Sequence, residues 1–224
     1  MIQILLDLLI VAVPLILAIT IRPVAQEWMW SRLQRMPGGR RLRVDWNPLR
    51  FVDPIGTLAV PFIMFVFSQI AHAPLGLIGW AKPPRQPYGV HNPREALRTV
   101  AIAALGSNFL MMLGWALILR LLLLPDASGG VALPLGVLQQ MASYGMEINA
   151  FLMVFHLLPI PPLDGGRIVA SLLPRDLANQ YEQLEPYGMQ IVLVLAIVPG
   201  SPLGIVLRPM ADVALRIASL FAGV

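Results

Sequence analysis

The sequence predicts an all-α polytopic membrane protein, and three observations carry that prediction. Of 224 residues, 57% are hydrophobic and only 12% are charged, about half the roughly 25% charged residues of a soluble domain. The mean hydropathy is +0.73. The apolar residues also gather in blocks long enough to cross a bilayer, separated by arginine-rich loops. One soluble core could not hide so much apolar surface. Irregular backbone and open sheet edges are not tolerated against lipid, so the spans are expected to be helices.

The blocks follow in order. Ile2–Ile21 is interrupted only by Gln3, Asp7 and Thr20. Ile55–Phe67 extends toward Ile78 and contains Pro61, and Thr99–Pro125 is the cleanest stretch, with Arg120 placed to snorkel to an interface. Val131–Leu158 is broken by Gln139–Gln140 and Glu147–Asn149. Gln190–Val198 and Leu203–Val224 are divided by Pro199-Gly200-Ser201-Pro202. Four to six transmembrane helices are expected, in a single membrane domain over 1–224 whose C-terminal part is a helical hairpin over about 186–224.

Ile2–Ile21 lacks a preceding basic region and a following small-residue cleavage site, so it reads as a retained span. The chain has no cysteine, which excludes disulfides and thiolate metal sites. Its net charge of +4 comes from two inter-span clusters, Arg32 to Arg50 and Lys82 to Arg98, and does not mark a nucleic-acid face. The positive-inside rule puts both clusters in the cytoplasm, which a single full span between them forbids. Either Ile55–Ile78 is re-entrant or the rule is broken, and the orientation stays open. Asp7 lies near the end of its span, within reach of water.

The most specific segment is Phe155-His156-Leu157-Leu158-Pro159-Ile160-Pro161-Pro162-Leu163-Asp164-Gly165-Gly166-Arg167. Its prolines stop a helix, and its two glycines allow a turn or a close backbone approach. A carboxylate in such a place, between apolar spans, is a candidate functional group. The plain alternative is that Asp164 caps the helix that follows.

Here the chain resembles the site-2 protease family of intramembrane zinc metalloproteases, in its short bacterial branch. Pro159, Pro161, Pro162, Leu163, Asp164 and Gly165 match the second half of the family's N-x-x-P-x-P-x-L-D-G motif. Asn47–Leu58, Gly79–Pro84 and Asn92-Pro93-Arg94 resemble its loops, and Ser107-Asn108 keeps the end of its A-G-P-x-S-N signature. The resemblance implies a site-2 protease-like core over about 4–175 and a multi-pass place in the bacterial plasma membrane.

It also implies a helix carrying H-E-x-x-H, two histidines binding zinc and a glutamate activating water. That motif falls on Arg22-Pro23-Val24-Ala25-Gln26. Arg22 stands at the first histidine, and a guanidinium has no lone pair for a metal. Pro23 stands at the glutamate and accepts no proton. Gln26 stands at the second histidine and offers an amide oxygen, a poor zinc ligand. His156 stands at the asparagine of the later motif. No other H-E-x-x-H occurs, and His72, His91 and His156 lack ligand spacing.

In the family Asp164 would be the third zinc ligand, and without a cation its burial would be costly. An Arg22–Asp164 ion pair could take the place of the metal; alternatively Arg22 snorkels to the surface near Trp28 and Trp30. A relocated metal site on His156 and Asp164 would need Glu147 or His72 as a third ligand, whereas a lone histidine beside a span is more often hydrogen-bonded and structural. Arg41–Trp46 alternates like a half-buried strand, and the family has a small sheet in this region. A β-strand element near 40–47, with Leu42, Val44 and Trp46, could hold a partner by its edge, or the segment is a basic loop at the lipid headgroups.

The sequence therefore points to a catalytically inactive pseudoprotease that binds or regulates a membrane partner, a transmembrane client or an active relative. No cofactor is expected, zinc belonging to the active relatives, and no nucleic acid. An active metallopeptidase using non-standard ligands is the second reading. A small transporter or channel component is the third, and the apolar central spans give it little support.

Overall fold

The computed structural model describes residues 2–34, 43–71, 79–85, 90, 92–124, 134–197 and 202–223. Regular structure there is helical, in eight α-helices: α1 (Ile2–Leu33), α2 (Val60–Ala71), α3 (Pro93–Leu122), α4 (Pro134–Leu157), α5 (Asp164–Leu172), α6 (Arg175–Glu182), α7 (Gly188–Ile197) and α8 (Pro202–Ala222). Two of them, α1 from Leu8 and α3, are long and apolar enough to cross a membrane. The 30 residues of α3 rise roughly 45 Å at 1.5 Å per residue, more than the roughly 30 Å of a hydrocarbon core. In the second apolar block a π-helical turn over Pro54–Ala59 leads into α2, whose described residues end at Ala71.

Helix starts follow local chemistry. Asn92 caps α3 through its side chain, with Pro93 at the first position where a missing N–H costs nothing. Asp53 likewise receives the N–H groups of Ile55 and Gly56 at the π turn. Within α1, Pro14 and Pro23 are carried inside the helix, each depriving the carbonyl four residues earlier of its donor.

Helices α3 and α4 form the centre, with α1 on one side and α8 on the other. Ala214, Ala218 and Ala222 recur every fourth residue on α8 and pack with Ala142, Met146 and Ala150 of α4 and Met112, Ala116 and Leu119 of α3. Small side chains let backbones approach closely, the main source of helix association where lipid removes the hydrophobic gain. Val11, Leu15, Ala18 and Ile19 of α1 pack with Phe65 of α2 and with Ile148 and Leu152 of α4. Outward faces stay apolar: Leu110 and Leu220 are 68% and 80% exposed. Water would disfavour that surface and lipid would not.

The strand expected near residues 40–47 is not present among the described residues. Leu42 lies outside them, and Arg43–Asn47 carry no regular structure. Local side-chain bonds take the backbone instead. The Asp45 carboxylate accepts from the Asn47 N–H at 3.0 Å and from Arg50 Nη1 at 3.2 Å, which holds its carboxyl below the usual aspartate range. Asn47 then caps a 3-10 turn over Pro48–Phe51.

Candidate functional site

The site begins where α4 stops. Prolines 159, 161 and 162 supply no N–H donors, and the chain closes on itself through Ile160 N–H to the Leu158 carbonyl and Leu163 N–H to the Ile160 carbonyl, both 2.8 Å. The Tyr181 hydroxyl donates to the Pro159 carbonyl at 2.8 Å, so α6 braces the turn. Partial burial raises the Tyr181 pKa. Helix α5 then starts at Asp164.

Gly165 is required by proximity: a Cβ there would lie 2.0 Å from the Leu157 carbonyl oxygen. The clash is with backbone, which cannot swing away as a side chain can. Gly165→Ala is therefore expected to cost at least the roughly 1–3 kcal/mol of overpacking, read as a lower thermal midpoint in detergent.

Asp164 does not act as the helix cap. The N-cap residue is Leu163, with no side-chain capping bond. The Asp164 carboxylate, 1% exposed, accepts instead from Nη2 of Arg22 on α1, 142 positions away. The snorkelling alternative falls to a neighbour: it is Arg32 whose guanidinium lies over the Trp28 ring, at 5.5 Å.

Around this pair lies a cleft of about 310 Å³, walled by α1, the segment Gly79–Pro84, the end of α4 and the start of α5. Pro23 and Gln26 line it beside Arg22, and both are buried. His156 lines it as well, with Nδ1 2.8 Å from the Leu152 carbonyl and its ring edge-on to Phe155. Pro162, Leu163 and Arg167 close the proline side. Arg167 is near enough for its charge to act on both Arg22 and His156. Trp46 is 67% exposed, and neither it nor Val44 lines the cleft. That wall is made by Gly79–Pro84, pinned by Trp80 N–H to the Gly56 carbonyl (3.1 Å) and Lys82 N–H to the Phe51 carbonyl (2.9 Å).

Asn108 sits behind the cleft. Its Nδ2 donates to the Ala18 carbonyl at 3.3 Å and to Asn149 Oδ1 at 3.1 Å, while Asn149 donates to the Gly145 carbonyl. These bonds tie α1, α3 and α4 together one turn before Arg22. The sequence reading missed Asn149 as a partner.

It also missed Glu27. This carboxylate has no exposed surface, and its Oε1 accepts from Arg50 Nη2 at 3.3 Å and from the Arg85 N–H at 3.1 Å. It thereby fixes the base of α1 to the Pro48–Phe51 turn and to the end of the Gly79–Pro84 wall. An acidic residue one position beyond the degenerate motif, with arginines on both following loops, was the available signal.

The donor set does not fit zinc. The one carboxylate already receives a guanidinium, the one imidazole, its Nδ1 held by a carbonyl, could offer only Nε2, and two arginine charges would repel a metal cation. Among the described residues no three His, Cys, Asp or Glu side chains gather closely enough to hold a metal. Glu147 lies outside the cleft lining, so among the described residues His156 and Asp164 have no third ligand; His72, the other candidate, lies outside them.

The cleft sets a proline-rich turn and a buried aspartate against the first of two helices long and apolar enough to cross a membrane. A model of peptidase family M50 matches residues 55–199, which takes in Asp164 but not Arg22 to Gln26. A Bacillus subtilis (strain 168) protein named "Putative zinc metalloprotease YwhC" is 30% identical over 202 residues, covering 89% of this chain and 84% of that one. No solved structure matches. The chain belongs to the site-2 protease family, peptidase family M50.

Proposed function

We propose that this chain is a catalytically inactive member of its family, a pseudoprotease that binds or regulates a membrane partner. The carrying observation is the Arg22–Asp164 ion pair. A permanent cation occupies the carboxylate that the resemblance assigns to zinc, at the position of a missing histidine. Pro23 and Gln26 beside it replace the general base and the second ligand. In this reading the pair does the structural work of the metal, tying the first helix to the proline-rich turn.

The same reading places the chain in the bacterial plasma membrane as a multi-pass protein of four to six spans. The lengths of α1 and α3 and the apolar outer faces of α3 and α8 support it. A re-entrant second block would leave both basic loops on one side. The partner would be a transmembrane segment or an active relative.

Elemental mass spectrometry of the protein purified in mild detergent tests the assignment. Zinc is expected at background in the wild type and to rise in an Arg22→His, Pro23→Glu, Gln26→His variant. Near-stoichiometric zinc in the wild type that disappears in Asp164→Ala would overturn the proposal.

A further inference from the structure

Two cavities lie on one stripe of α1. The first is an apolar groove of about 410 Å³ between α1 and the Pro54–Phe65 segment. The second is the cleft at Arg22. Leu8, Val11, Ala12, Leu15, Ile19, Arg22 and Gln26 line one or the other, and steps of three and four residues put them on a single helix face. From Leu8 to Arg22 that face rises about 21 Å. The cavities adjoin at Gly79, a residue of the cleft wall. A Cβ there would meet both Ile19 Cδ1 of the cleft, at 2.7 Å, and Pro61 Cγ of the groove, at 3.0 Å.

Their chemistry differs in one direction only. The groove carries no charged side chain. The cleft has three cationic side chains, Arg22, Lys82 and Arg167, against one carboxylate. Arg22 uses that carboxylate, and among the described residues neither Lys82 nor Arg167 enters an ion pair. Lys82 is exposed and Arg167 half-buried, so an anion held between them meets two cations at once at little desolvation cost.

We propose that the stripe binds a single-chain anionic amphiphile, its head group between Lys82 and Arg167 and its acyl chain along the α1 groove. The head is a carboxylate or a phosphate, as in a fatty acid or a lysophospholipid. A peptide fits less well. Pro23, Pro83, Pro84 and Pro162 line the cleft without N–H donors, and no described residue forms a strand, so an extended backbone has no ladder to join. A membrane supplies amphiphiles at high local concentration. The site is independent of whether the chain binds zinc or a protein partner.

The test is displacement of the fluorescent fatty acid cis-parinarate from the full chain in phosphatidylcholine nanodiscs. Oleate or oleoyl lysophosphatidate is expected to displace it at concentrations about tenfold below those of oleyl alcohol, the same chain without charge. The better competitor of the two assigns the head as carboxylate or phosphate. A Lys82→Gln, Arg167→Gln variant breaks no ion pair among the described residues and is expected to keep its thermal midpoint within about 2 °C while losing the preference over oleyl alcohol. Ala12→Phe, which fills the groove, is expected to weaken parinarate binding about tenfold with the head-group site intact. Equal displacement by oleyl alcohol would overturn the proposal. So would displacement by inorganic phosphate alone, or a preference that survives the double variant.

Discussion

Replacing Arg22 by alanine is expected to destabilise the protein by roughly 3–5 kcal/mol, because it strands a buried carboxylate without its counter-ion. For a chain of this length that corresponds to a fall of roughly 6–20 °C in thermal midpoint. The asymmetry of the pair sharpens the expectation. The Asp164 side chain is 2% exposed and that of Arg22 is 15% exposed. Asp164→Ala leaves a cation that can turn toward the cleft mouth, so its cost is expected to be smaller. Arg22→Leu with Asp164→Leu removes both charges and is expected to recover most of the loss, since apolar replacement of a buried pair is often neutral. Differential scanning fluorimetry of the three variants in one detergent reads the cycle. A double variant as unstable as Arg22→Ala would mean that the pair is not what holds α1 against the turn.

The second large effect is expected at Arg50. Its guanidinium meets Glu27, which is wholly buried, and Asp45, which is largely open to solvent. Among the described residues Arg50→Ala leaves Glu27 with only the Arg85 N–H, and a loss near the lower end of the same range, about 3 kcal/mol, is expected. Glu27→Gln keeps an acceptor for both donors and is expected to cost about 1 kcal/mol, the scale of one weakened hydrogen bond. Because Glu27 joins the Asn47–Phe51 segment to the end of Gly79–Arg85, Arg50→Ala is also expected to raise protease sensitivity at both segments. Limited proteolysis with mapped cleavage sites measures that, and cleavage confined to other loops would contradict it.

The site was legible in the sequence wherever its chemistry is local. Three prolines between Leu158 and Leu163 end a helix in any context. Asp164 before two glycines marks a special backbone position, and the resemblance identifies positions 22, 23 and 26 by their distance from the first basic loop. The alternation of Arg41–Trp46 has the period of two, but Arg41 and Leu42 lie outside the described residues, and over Arg43–Asn47 the hydrogen bonds of Asp45 and Asn47 go to a turn. Glu27 was passed over because its place one position beyond the degenerate motif marks an acid near the site but does not say whether it is buried or at a membrane surface.

By itself, the sequence determined a helical membrane protein with apolar blocks, a proline-rich break after residue 158 and a first helix without the residues of a zinc site. Each of these depends on composition, periodicity or residue chemistry within a few positions. Only the tertiary structure decided that Asp164 spends its carboxylate on Arg22 rather than on its own helix, that Glu27 anchors the loops, and that an apolar groove and a cationic cleft share one face of α1. Those facts depend on which surfaces of α1, α4 and the connecting segments come within a few ångströms. Buried charges then take whatever partner packing delivers, because leaving one unpaired costs more than a few hydrogen bonds can restore.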